Sequence, residues 1–220
     1  MAPGVTAAGA VGMAAGLIIA LGVALVLTRS IGRSILLVAA QSILAGLAAI
    51  IVGISLGQWP IVVGGVLAIA LKGVVAPIFL RSMLGSTTVA VERHPYIGMR
   101  LSLIAAIAIV FIAATATADI GLSSPHGMAR ALPAAIAQVL TGLLLIMTRR
   151  KVMSLLVGIL VFENGIALTA FAMTYGMPIV VELGIAFDLL VAVAVGWVYT
   201  RQMVEVLGTA STDSLRTLRG

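Results

Sequence analysis

Four side chains that carry charge stand inside runs that are otherwise apolar: Lys72, Glu163, Glu182 and Asp188. Glu163 belongs to the stretch FENGIALTAF, with Asn164 beside it. A buried carboxyl can take up or release a proton, and a buried ammonium group can neutralise a carboxylate or set the field around it. Other chemistry finds little support. The chain has no cysteine, which excludes disulfides, thiolate metal sites and cysteine-held iron–sulfur clusters. There is no phosphate-binding glycine loop, no histidine pair at helical spacing, and no nucleophile beside a base. His94 and His126 fall in loops at opposite faces and read as solvated. An autonomous enzyme is not expected.

The meaning of these charges depends on the solvent around them. Of the 220 residues, 62% are hydrophobic and 9% are charged, against about 25% charged in an ordinary soluble domain. A soluble fold of this size cannot hide so much apolar surface, so the solvent is lipid. The net charge of +6 does not point to nucleic acid. The basic residues sit in short breaks between apolar runs, which is how topology signals are distributed; a nucleic-acid footprint would be a continuous stripe. The N-terminal MAPGVTAAGAVG has no basic stretch and does not read as a cleaved signal peptide.

Runs near the roughly 20 residues needed to cross a bilayer occur at 8–28, 34–56, 60–80, 101–118, 131–147, 152–175 and 178–199. Segments such as LIAAIAIVFIAATA lack the alternation of a membrane β-strand, so the expected fold is an all-α integral membrane protein with seven transmembrane helices. Alternate connections hold eleven of the Lys and Arg residues: Arg29, Arg33, Arg81, Arg93, Arg100, Arg149, Arg150, Lys151, Arg201, Arg216 and Arg219. The other face holds Arg130. The positive-inside rule then predicts an N-out/C-in topology. Trp59, Tyr175, Trp197 and Tyr199 fall at span ends, as an interfacial aromatic belt does.

Two stretches match at a register of 120 residues: LGVALVLTRSIGRSILL from 21 and TGLLLIMTRRKVMSLLV from 141. Gly22 falls on Gly142, Thr28 on Thr148, Arg29 on Arg149 and Ser34 on Ser154. WPIVV recurs as MPIVV, and LRSM as TRQM. The expected organisation is two parallel three-helix repeats joined by the fourth helix: residues 1–83, a cytoplasmic loop with the linking helix at 84–130, the second repeat at 131–204, and a cytoplasmic tail at 205–220. The loop RSMLGSTTVAVERHPYIGMR is a solvated linker or a docking surface for a cytoplasmic partner.

Each buried charge costs about 2.5–3.5 kcal/mol at a helix centre on insertion scales. A protonated carboxyl, an ion pair with Lys72, or a hydrated cavity each lowers that cost. Glu182 and Asp188 are separated by about 9 Å along their helix and point about 120° apart, so one is expected to face Glu163 and the other a different helix or subunit. The structural alternative is that these groups only hydrogen-bond helices together. Asn164 and Gln41 are expected to do that, as polar support. Lys72 precedes Gly73, and Pro77 follows one turn on, so the third helix is expected to bend there and free a carbonyl.

The stretches TRRKVMSLLVGILVFENGIALTAF and MPIVVELGIAFDLLVAVAVGW resemble component E of hydrogenase-4 and of related formate-hydrogenlyase complexes. The last three helices also resemble the NuoK subunit of respiratory complex I and the MrpC protein of Mrp-type cation/proton antiporters. In the NuoK pattern an arginine-bearing loop precedes two helices, each with a glutamate. Here Arg149 and Arg150 fill the loop, and Glu163 and Glu182 are the acids. Aligning the loops places the family's first glutamate on Leu160, one turn before Glu163, and its asparagine on Asn164. Asp188 is an additional acid.

The resemblance implies a non-catalytic membrane-arm subunit of a complex I-like [NiFe]-hydrogenase or formate-hydrogenlyase-type oxidoreductase, in the inner (plasma) membrane. Glu163, Glu182, Asp188 and Lys72 would contribute to proton or ion translocation. No cofactor is expected in this chain; the [NiFe] and iron–sulfur centres would lie in partner subunits. The implied partners are other membrane subunits, a cytoplasmic hydrogenase arm and lipid. A component of an Mrp-type antiporter and a structural scaffold protein are the alternatives.

Overall fold

A computed structural model describes residues 3–85, 96–118, 130–174 and residue 197. Every extended element among the described residues is helical: α1 (Pro3–Leu27), α2 (Ile31–Leu56), α3, α4 (Met99–Ala118), α5 (Leu132–Thr148) and α6 (Val152–Thr174). The α3 rod has three parts, α-helical at Trp59–Ala68, π-helical at Ile69–Val75 and α-helical again at Ala76–Gly85. Five of the six described helices are long and apolar enough to cross a bilayer. The other, α5, is apolar but has 17 residues, the short end of the spanning range. This is an integral membrane protein. The expected seventh span, at 178–199, lies outside the described residues except for Trp197, whose ring packs 6.2 Å from that of Phe79 in α3.

Local chemistry explains the turns. The end of α2 is set by Gly57, at φ 67°, a left-handed position that glycine adopts without steric cost. Gln58 N–H then reaches back to Gly53 O at 2.8 Å, closing a Schellman-type stop, and Pro60 sits in the first turn of α3, where its missing N–H is not needed. The α2–α3 hairpin closes tightly because a Cβ on Gly46 would stand 2.7 Å from Gly65 O, and one on Gly65 equally close to Gly46 O. In α3, Pro77 has no N–H to give to Gly73 O, and its ring crowds that carbonyl. The helix widens to π geometry over that turn, with Ala76 N–H bonding to Leu71 O. The bend expected there is thus a change of helical pitch.

Two apolar cores are stacked along the bundle. One joins Leu25, Ile35, Val38, Leu80, Leu145, Leu156 and Leu160. The other joins Val11, Ile18, Val52, Ile61, Leu132, Ala135 and Leu168. In α2, α3, α5 and α6 the residues between the two sets include polar ones, Gln41 and Ser42, Lys72, Gln138 and Thr141, and Glu163 and Asn164, while α1 contributes Gly22 and backbone there. That layer holds the candidate site.

The α1–α2 and α5–α6 turns lie together at one end. Arg149 donates to Val26 O and Thr28 O across them, and Tyr96 N–H donates to Thr148 O at 3.0 Å, which brings the approach to α4 to the same end. The arginine-bearing α1–α2 and α5–α6 turns and the start of α4 therefore meet at one end of the described bundle.

Candidate functional site

The layer between the cores draws on five helices. Lys72 projects from the π-helical segment of α3 and Glu163 from the middle of α6. The Lys72 side chain is buried and that of Glu163 is mostly so, and Lys72 Nζ stands 3.7 Å from Glu163 Oε2. That separation makes an ion pair, but it exceeds the roughly 2.7–2.9 Å of a tight charge-assisted hydrogen bond. The charges neutralise each other without locking. Pairing with lysine is therefore one of the means by which this acid is accommodated, and a π turn is a frequent feature of functional sites in helices.

Beside the pair, Asn164 Nδ2 donates to Ser42 Oγ at 2.8 Å, and Ser42 Oγ donates to Val38 O at 3.1 Å. Gln41 Nε2 donates to Ile18 O in α1 at 3.2 Å. Asn164 and Gln41 each make a hydrogen bond to another helix. Gln138 and Thr141 of α5 are buried in the same layer, facing Gly22 of α1. Sequence reading passed over Ser42, Gln138 and Thr141. Their signal was available: each polar residue falls at the depth of Glu163 or Lys72 in its own span. Glu182 and Asp188 lie outside the described residues, as do His94 and His126.

A second polar feature closes one end of the bundle. Arg149 is buried, and its guanidinium donates to the carbonyls of Val26 at 3.0 Å and Thr28 at 2.8 Å, with Leu25 O at 3.4 Å. Leu25 O also accepts from Thr28 N–H at 3.2 Å, whereas Val26 O is among the carbonyls that a helix end leaves without intrahelical donors; a cation there also complements the helix dipole. Arg150 lies over the Tyr96 ring at 4.1 Å. In sequence both arginines looked like topology signals; Arg149 is in addition the C-terminal cap of a different helix.

Comparison with known proteins places this architecture. The uncharacterized protein Rv0085 of Mycobacterium tuberculosis is 34% identical over 212 residues, which cover 95% of this chain and 96% of that protein. The chain belongs to the Rv0085 family. Hydrogenase-4 component E of Escherichia coli is related to this Rv0085-type chain more distantly, with 32% identity over 120 residues, 54% of this chain and 55% of that protein. The same extent of likeness holds for hydrogenase-4 component E of Shigella flexneri. No protein-family model and no solved structure matches the chain. This member of the Rv0085 family is thus distantly related to hydrogenase-4 component E, and the likeness extends over about half of each chain.

Proposed function

We propose that this chain is a membrane-arm subunit of a hydrogenase-like oxidoreductase complex, and that its buried charges take part in moving protons or other ions. The observation that carries the reading is the Lys72–Glu163 pair: two opposite charges buried at mid-bundle, 3.7 Å apart, with the lysine on a π-helical turn. A pair retained only to hold helices together has no need of that expense, because apolar residues of similar volume hold helices equally well. The partial likeness to hydrogenase-4 component E supports the kind of complex. In this reading the chain has seven spans, N-out/C-in, in the inner membrane. The [NiFe] and iron–sulfur centres belong to partner proteins, which include other membrane subunits and a cytoplasmic redox arm.

The proposed step is electrostatic. When Glu163 is ionised it holds Lys72. A proton arriving on Glu163 cancels that attraction and weakens the hold on the ammonium group, which favours its displacement toward another acid. Glu182 and Asp188 are the proposed acids. Loss of the proton restores the pair. The test is proton movement by the intact complex carrying Glu163→Gln, with assembly checked by which proteins co-purify. The proposal expects transport to fall by about a hundredfold, the scale of a lost positioned acid, while the complex still assembles. Wild-type transport in a fully assembled Glu163→Gln complex removes Glu163 from the route.

A further inference from the structure

We infer that the pocket over Gly22 is a built binding site for one water molecule, held by Gln138 and Thr141. Gly22 lies on α1 with no side chain to fill the space beside it. A Cβ at that position would stand 3.6 Å from Gln138 Oε1, 3.7 Å from Gln41 Nε2 and 3.8 Å from Thr141 Oγ1. Three polar atoms from two other helices therefore converge on one point.

One of these atoms has unmet hydrogen-bonding capacity. Gln138 Oε1 is buried and has no hydrogen-bond partner among the described residues, and its side chain is at least nine-tenths buried. Gln41 presents Nε2 to this point, the same atom that donates to Ile18 O. An unpartnered amide oxygen in such a place costs about 1–3 kcal/mol, which a bridging water removes.

The space suits that occupant. A cavity of about 10 Å³ is lined by Gly22, Gln138 and Thr141, with Ile18, Ala106 and Val110 completing its wall. This is the size of one water, for which roughly 10–15 Å³ is needed. The lining has no carboxylate, so a cation would go uncompensated, whereas amide and hydroxyl groups match the two donors and two acceptors of water. The site carries the polar layer from Lys72 in α3 through α6 and α2 as far as α5. It rests on the proposed function only for any part it takes in conduction; as a binding site it stands by itself.

The test is a high-resolution cryo-EM map of the full chain, purified with the proteins that accompany it. The expected result is a density peak within hydrogen-bonding distance of both Gln138 Oε1 and Thr141 Oγ1. Gly22→Ala should abolish the peak without disturbing the helices, because contacts of 3.6–3.8 Å are ordinary ones for a methyl group. If that variant does not assemble, Thr141→Val, which keeps the shape and removes the hydroxyl, should lose the peak. A wild-type map that shows other buried waters but none here overturns the inference, as does a peak that survives in the substituted protein. Normal transport in Glu163→Gln would end the conduction reading and leave this peak in place.

Discussion

The α1–α2 and α5–α6 hairpins share a turn but not a chemistry. Thr28 and Thr148 are aligned in sequence, and each hydroxyl donates to the carbonyl four residues back at 2.6 Å, Ala24 O in one case and Leu144 O in the other. The side chains then diverge. Arg149 is buried on the end of α1, while its counterpart Arg29 is exposed. Gly142 presses against the backbone of Phe162, while its counterpart Gly22 meets only the ends of polar side chains. Gln41 and Gln138 are each polar where the aligned position, Val161 or Ile18, is apolar. Each hairpin supplies what the other leaves open: Arg149 satisfies carbonyls of α1, and Gln41 joins α1 to the layer where α5 places Gln138. The difference shows that a shared helical frame leaves individual positions free to specialise, provided the facing surface compensates.

Paired substitutions can break that comparison. The largest contrast is expected between the two glycines. Gly142→Ala drives a methyl group into the Phe162 backbone and should destabilise the chain by about 3 kcal/mol; Gly22→Ala should change stability by no more than about 0.5 kcal/mol. Thermal unfolding of the purified full chain in one detergent measures both. Equal effects would mean that the two hairpins pack alike after all.

The arginines come next. Arg149→Ala removes the guanidinium that donates to the carbonyls of Val26 and Thr28, and a loss of about 2 kcal/mol is expected from charge-assisted bonds of this kind. Arg29→Ala, at an exposed position, should stay within about 0.5 kcal/mol. Arg149→Lys sharpens the point, because a lysine keeps the charge but lacks the planar fork of donors; it should recover only part of the loss. Complete recovery would show that charge alone caps α1.

The smallest effect belongs to the α2–α6 hydrogen bond. Ser42→Ala removes the acceptor of Asn164 and should cost about 0.6 kcal/mol, a typical value between membrane helices. In the same variant, hydrogen exchange at mid-α6 should quicken only slightly. A loss several times larger would show that Ser42 supports the charged pair itself.

Much of this was legible in residues alone. Composition and run length gave a helical membrane protein, and the six described helices begin and end within a few residues of the expected spans. The spacing of Lys72, Gly73 and Pro77 announced the irregular turn in α3, since proline's missing N–H has a purely local consequence. Which residues meet across the bundle was not legible. Glu163 pairs with Lys72 because of the rotation of α3 against α6, and periodicity within one span cannot fix that rotation when nearly every face is apolar. Ser42, Gln138 and Thr141 escaped for a related reason: small hydroxyls and amides are common in tightly packed membrane helices, and only their common depth sets these apart. Arg149 had a sufficient explanation as a topology signal, and that concealed its second role as a cap.

One measurement bears most directly on why the buried pair exists. Replacing Lys72 and Glu163 together by methionine removes both charges and leaves none uncompensated, so the complex should assemble with undiminished thermal stability. Proton movement by that assembled complex should nevertheless fall to background. Transport at the wild-type rate would contradict the account and leave the pair as a structural contact between α3 and α6.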